Sequence, residues 1–276
     1  MIPSSFEYLR VDSAEEAVAL LAQHGEDAKL LAGGHSLLPL MKLRLAAPAL
    51  LVDVGRLQEL SYVREEGEAI AVGALTRHRD VETSALLTQE APLLAHVAGQ
   101  VGDPQVRHRG TLGGSLAHGD PASDLPSAVL ALSATLVARG PDGTREIAAE
   151  DFFQGFFETA LAPDEMLVEV RVPRLPRAGF DFQKFNRRAQ DWAMVGVSAV
   201  STGSDTRVAL VNMAAAPMRA RGVEAALAAG ASLEEAAQRA DEDTEPPSDV
   251  NATAEYRRHL VKVLCRRALE TARQRD

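Results

Sequence analysis

The sequence predicts an α+β fold in three pieces: a small α/β unit over residues 1–57, a mixed helix-and-strand unit over 58–174, and an antiparallel sheet with helices over 175–276. Three observations predict it. A capped helix and two short apolar strands fill the first piece. A hairpin signal stands among alternating helix and strand patterns in the second. Three successive strand patterns give way to helical ones in the third.

Ser13-Ala-Glu-Glu16 has the form of a capping box, with Ser13 as N-cap and Glu16 reaching back. Ala17, Val18, Leu20 and Leu21 mark an apolar stripe, and Gly25 stands where a C-cap belongs. The strand Ala28–Ala32 then runs into Gly33-Gly34, and Ala49–Val54 reads as a second buried strand. In the middle piece Ala69–Val72 is a strand, Thr76 is placed to cap a helix running through Ser84, and Pro92 sits in the first turn of a helix ending at Gly102. A second Gly-Gly follows in a long polar loop, and Asp124 with Pro126 opens a helix to about Leu132. Pro141-Asp-Gly143 joins Thr135–Ala138 to Thr144–Ile147 as a hairpin, and Met166–Val172 closes the unit. Phe180–Arg187, Ala193–Ser201 and Thr206–Ala214 form the meander. Helical patterns follow at Arg219–Ala229, Ser232–Ala240 and Ala252–Arg273, with a solvated acidic linker at Asp241–Pro247 between the last two.

Composition narrows the function. The net charge of −10 argues against nucleic acid, whose phosphates are held mainly by Lys and Arg. It also means that any anionic cofactor needs local backbone donors. The single cysteine, Cys265, cannot form an internal disulfide or supply the four thiolates of an iron-sulfur cluster, and a buried apolar role suits it. That cysteine usage and the absence of a signal-peptide pattern fit a cytoplasmic protein. Leu125–Ala138, an uncharged run, falls short of the roughly 20 residues of a transmembrane segment.

Twenty glycines in 276 positions give roughly 1.4 Gly-Gly pairs by chance, so the two present mean nothing without their context. Ala32-Gly33-Gly34-His35-Ser36 follows a strand directly, with Lys42 and Arg44 nearby. Thr111-Leu112-Gly113-Gly114-Ser115 follows Arg107-His-Arg109. Glycines permit positive φ and close approach, successive N–H groups form anion-binding nests, and the hydroxyls add donors. A phosphate or nucleotide site and a pair of tight turns without ligand both fit this pattern. Neither motif matches a Rossmann fingerprint or a P-loop. Downstream, Asp124 can accept hydrogen bonds from ribose hydroxyls or cap the helix that follows. His35, His108 and His118 suit structural or anion contacts better than acid–base catalysis.

Ala32-Gly-Gly-His-Ser-Leu-Leu-Pro39 with Met41-Lys-Leu-Arg44, and Thr111-Leu-Gly-Gly-Ser115 with Asp120-Pro-Ala-Ser-Asp124, resemble the FAD-binding medium subunit of the molybdenum hydroxylases (the xanthine dehydrogenase family). The wording is nearest to the medium chains of aerobic carbon monoxide dehydrogenases, and the resemblance continues through Leu210–Ala220. It implies an FAD-binding domain of two α/β subdomains (PCMH-type) plus a C-terminal antiparallel sheet with helices. It implies that residues 32–36 and 111–115 contact the FAD pyrophosphate, that Asp124 lies near the adenosine half, and that Lys184 lies on a strand beside the flavin. Trp192 falls where relatives carry an aromatic near the isoalloxazine; a core tryptophan is the other reading. Ser115 departs from the Asn or Asp often found there. The resemblance further implies a large molybdenum-cofactor subunit and a small iron-sulfur subunit with two 2Fe–2S clusters, assembled as a dimer of heterotrimers. Electrons would pass from the near cluster through FAD to an external acceptor. A stand-alone FAD oxidase or dehydrogenase and a flavin-free scaffold are the alternatives.

Overall fold

The computed structural model describes residues 2–203 and 205–275. The first unit comprises β1 (Glu7–Arg10), α1 (Ala14–His24), β2 (Ala28–Leu31), α2 (Leu37–Leu43) and β3 (Leu50–Asp53). Its three strands form a parallel sheet in the order β1-β3-β2. Helix α1 starts as its sequence demands: the Ser13 hydroxyl accepts the Glu16 N–H at 3.1 Å. The Glu16 carboxylate reaches one residue beyond the cap and accepts from the Asp12 N–H. Gly25 ends the helix at φ 54°.

The second unit holds β4 (Val63–Glu66), β5 (Ala69–Gly73), then six helices: α3 (His78–Thr83), α4 (Ala85–Glu90), α5 (Pro92–Gly99), α6 (Pro104–Arg109), α7 (Leu112–His118) and α8 (Asp124–Ala131). After them come β6 (Thr135–Gly140), β7 (Gly143–Ala148), α9 (Ala149–Phe152), the small pair β8 (Phe153–Gly155) and β9 (Glu158–Thr159), and β10 (Met166–Pro173). The main sheet is antiparallel in the order β4-β5-β10-β6-β7. Its strands alternate. Val137, Met166 and Val168 face the core of the first unit, while Leu136, Ala138, Leu167 and Val170 face the helices. A register shift between Leu167 and Glu169 marks a bulge on β10.

Two expectations for this unit are corrected. Thr76 does not cap α3; its hydroxyl donates to the Tyr62 carbonyl and accepts the Tyr62 N–H, tying β5 to β4. The helix ends at Thr83, within a residue of the expected end, and Ser84 caps the next one through the Leu87 N–H. The second Gly-Gly lies inside α7 rather than in a loop. Glycine is a poor helix former, so its spacing gave no helical signal.

The third unit is the meander β11 (Gly179–Phe185), β12 (Val195–Ser201), β13 (Thr206–Val211) and β14 (Met218–Arg219), followed by α10 (Arg221–Ala228), α11 (Leu233–Ala237) and α12 (Ala254–Arg275). All seven residues of β12 are buried because both of its faces are covered. Val195, Val197 and Ala199 face α10–α12, whereas Val200 faces the helices of the second unit. There a fully buried hydroxyl pair, Ser127 with Ser198 at 2.7 Å, joins α8 to β12. Cys265 lies in the α12 core, and burial pushes its thiol up to about 12. The acidic linker is only partly solvated: Thr244 is buried, and Asp241 pairs with Lys262 of α12 at 2.8 Å. Among the described residues no helix is long and apolar enough to cross a membrane.

Candidate cofactor site

A cleft of about 470 Å³ opens where the three units meet. Its lining brings together Ala32, Gly33, Gly34, His35, Ser36, Thr111, Gly113, Gly114, Ser115, Asp124, Lys184 and Trp192. The two glycine motifs, eighty residues apart in sequence, therefore share one wall. Leu112 is the exception among the expected residues, since its side chain is wholly buried in the core.

The first motif leaves the carboxyl end of β2, the usual place for a ligand in an open parallel α/β sheet. Gly34 sits at φ 75°, a left-handed conformation that glycine adopts without strain and that anion-binding nests employ. Among the described residues, the backbone N–H groups of residues 33–36 find no protein acceptor. Four free donors in a cleft are what an anion requires in an acidic protein.

The second motif plays a different part. Thr111 caps α7 by accepting the Gly114 N–H at 3.1 Å. The Leu112 N–H donates to the Thr76 carbonyl and the Gly113 N–H to the Ala74 carbonyl. Its donors are already used, so the anion-nest reading belongs to the first motif alone. Gly113 is glycine because the residue after β5 lies against it: a Cβ there would stand 2.5 Å from the Ala74 Cβ. Gly33 is glycine because a Cβ would stand 2.3 Å from the Arg109 carbonyl oxygen. Close backbone packing between the motifs explains both.

The basic flanks are also corrected. Lys42, Arg44, Arg107 and Arg109 do not line the cleft, and Arg107 pairs with Glu82 at 3.0 Å. Lys29 and Lys184 are the lysines of the cleft's lining, and Lys184, on β11, is the one that pairs with a carboxylate of the cleft. Its Nζ lies 2.7 Å from Asp124 Oδ2 and donates to the Gln100 carbonyl at 3.1 Å. Asp124 is not the cap of α8, whose N-cap is Ser123. Burial pushes its carboxyl up to about 6, with Lys184 pulling the other way, and Oδ1 has no partner among the described residues. Ser115 and Ser123 share a hydrogen bond of 2.8 Å across the neighbouring wall.

Trp192 is 56% exposed at the rim, which removes the core reading. His118 lines the cleft and stacks on Phe157 with ring centroids 4.8 Å apart; partial burial lowers its imidazole below the ordinary value. His35 and His108 are exposed. Sequence reasoning missed His78, which lines the cleft beneath Gly110. Burial, aided by His35, Arg77 and Arg107, pushes it down to about 4, and its Nδ1 is unpartnered among the described residues. No local signal could have found it, because Gly110 arrives from a distant segment.

A nest of free N–H groups, a buried carboxylate with an unused oxygen, and apolar walls from Leu30, Leu31, Val54, Leu75, Met166 and Leu167 fit a dinucleotide such as FAD. Fold and cleft together suit a dinucleotide-binding subunit. A family model described as the FAD binding domain in molybdopterin dehydrogenase matches residues 4–175, and the CO dehydrogenase flavoprotein C-terminal domain matches residues 180–272. The chain belongs to this family, as a medium, FAD-carrying subunit of the molybdenum hydroxylases. It is 43% identical to the carbon monoxide dehydrogenase medium chain of Hydrogenophaga pseudoflava, over 99% of this chain and 98% of that one. It is 35% identical to the glyceraldehyde dehydrogenase medium chain of Sulfolobus acidocaldarius, over 98% and 99%. A solved Hydrogenophaga pseudoflava carbon monoxide dehydrogenase, one lacking the Mo-pyranopterin moiety of its molybdenum cofactor, superposes with a TM-score of 0.95 at 44% identity, covering 100% of this chain and 99% of that one.

Proposed function

We propose that this chain relays electrons through FAD between a partner iron-sulfur subunit and an external acceptor. It does so within a complex whose large subunit carries the molybdenum cofactor and performs the substrate chemistry. The observation that carries the site is the row of unpartnered N–H groups at residues 33–36, placed in one cleft with the Lys184–Asp124 pair. Bound FAD supplies reversible electron storage. The residues of this chain hold and orient it. Gly33, Gly34, His35 and Ser36 donate to the pyrophosphate, and Asp124 Oδ1 accepts from a hydroxyl of the adenosine half. Lys184 keeps the Asp124 carboxylate in place, and Trp192 covers the flavin at the rim. The motif Thr111–Ser115 acts mainly by bracing the first loop, with Ser115 as its hydroxyl in the wall.

The single cysteine is consistent with that division of labour, since one thiol cannot hold an iron-sulfur cluster in this chain. The same reading divides the chain at 57/58 and 174/175, each boundary lying between sheets, and assigns the complex to the cytoplasm as a dimer of heterotrimers. The substrate is a property of the large subunit. Carbon monoxide is one candidate, and a medium chain named for glyceraldehyde dehydrogenase is similar over nearly the same length.

The test is expression alone and with the neighbouring subunits. The chain should turn yellow on reconstitution with FAD, show no substrate turnover by itself, and co-purify with a molybdenum and an iron-sulfur subunit in equal amounts. A colourless chain would point to a scaffold, and turnover by the isolated chain to a stand-alone enzyme.

A further inference from the structure

The rim segment 186–194, between β11 and β12, brings Gln190, Asp191 and Trp192 to the cleft. Its base is closed by the Met194 N–H on the Phe185 carbonyl at 2.8 Å. Among the described residues its middle has only local bonds, such as Arg188 with Asp191 at 2.9 Å, and Arg188 is 82% exposed there. An exposed pair of that kind contributes little order. What fixes the rim must come from outside it.

Two side chains of the third unit supply that hold. Asn212, just past β13, adopts φ 61°, a left-handed conformation that Asn accepts more readily than most residues. From there its backbone N–H donates to the Pro121 carbonyl at 2.8 Å and its Nδ2 donates to the Ala193 carbonyl at 2.9 Å. Pro121 belongs to the segment that leads into Ser123 and Asp124, which line the same cleft. Arg257 of α12, wholly buried, donates through Nη1 to the Met194 carbonyl and through Nη2 to Asp249 at 2.8 Å. Both carbonyls that follow Trp192 are thus held from behind.

We propose that Asn212 is a positioning residue for the cofactor, locking the Trp192 rim and the Pro121–Asp124 segment in one register so that both meet the flavin together. This inference rests on the FAD reading given above. No other common side chain meets both needs. Glycine keeps the left-handed backbone and the bond to Pro121 but loses the tie to Ala193. Aspartate keeps the shape but sets an acceptor against the Ala193 carbonyl.

The protein provides its own reporter, because Trp192 is the sole tryptophan. The full chain and its Asn212→Gly and Asn212→Asp variants would be compared by tryptophan emission without cofactor, by FAD titration, and by thermal melting. Both variants should shift the Trp192 emission to the red. Asn212→Gly should raise the FAD dissociation constant about three- to tenfold, the worth of one hydrogen bond, and Asn212→Asp should raise it further. A lower melting temperature with wild-type emission and wild-type FAD affinity would overturn the proposal and leave Asn212 a purely structural residue. Should the wild type bind no FAD, the flavin reading fails, and the emission of the cofactor-free variants still decides whether Asn212 positions the rim.

Discussion

His78 and Asp124 line one cleft and are both held away from their charged forms by burial. An unfolded histidine titrates near 6.5, and burial takes His78 down to about 4. Its contribution to stability is therefore complete above about pH 6.5 and is lost as the pH falls toward 4. Across that window the loss amounts to about 3 kcal/mol. His96 and His118 are lowered by burial too and add to the same acid arm. Asp124 works in the opposite direction: its raised carboxyl contributes below about pH 3.8, and that contribution fades as the pH climbs through about 6. Urea denaturation of the wild type and His78→Gln at a series of pH values separates these groups. The wild type should lose stability on acidification more steeply than the variant, and parallel curves would show that His78 is not held neutral. Trp192 was legible as a site residue only through the family's wording, whereas the burial of His78 depends on a contact with Gly110 that no local pattern encodes.

At the scale of elements, the two glycine motifs are one construction. Gly33 lets the first loop lie against Arg109 and Gly110, and Gly34 supplies its left-handed turn. Arg77 adds a clamp, donating to the Arg109 and Gly55 carbonyls. The two glycines should therefore fail differently. A Cβ at Gly33 would meet backbone at 2.3 Å, which cannot move without separating the motifs. A Cβ at Gly34 would meet the Leu38 side chain at 2.8 Å, which can rotate, leaving a backbone cost of about 1 kcal/mol. Gly33→Ala should thus lower the melting temperature of the cofactor-free chain more than Gly34→Ala, while both lose flavin on gel filtration. Equal melting temperatures would sink this account. Capped helices and the Pro141–Gly143 hairpin were legible in the sequence because their signals are local. Helix α7 was not, because two glycines hid it and its first turn is fixed by the Ala74 and Thr76 carbonyls of the segment after β5. The strand β1, exposed along its length, carried no apolar alternation to read.

For the whole molecule, the three-part order was legible because the hydrophobic period changes from one part to the next, but the cleft between the parts was not. It exists because the third unit closes it. Lys184 reaches Asp124, Ser198 meets Ser127, and Asn212 bonds to Pro121. The C-terminal sheet thereby contributes to the wall of the cleft. Its far face rests on α12, where Cys265 is buried and its thiol resists ionisation. Because the chain holds no other cysteine, that thiol works as a chemical stopwatch for the opening of the α12 core. In the native protein a thiol-specific reagent should label it only as fast as this core opens. FAD added in excess should slow the clock, since a cofactor held by all three units stabilises the closed form by mass action. If the labelling rate ignores FAD, α12 opens independently of the cleft it supports.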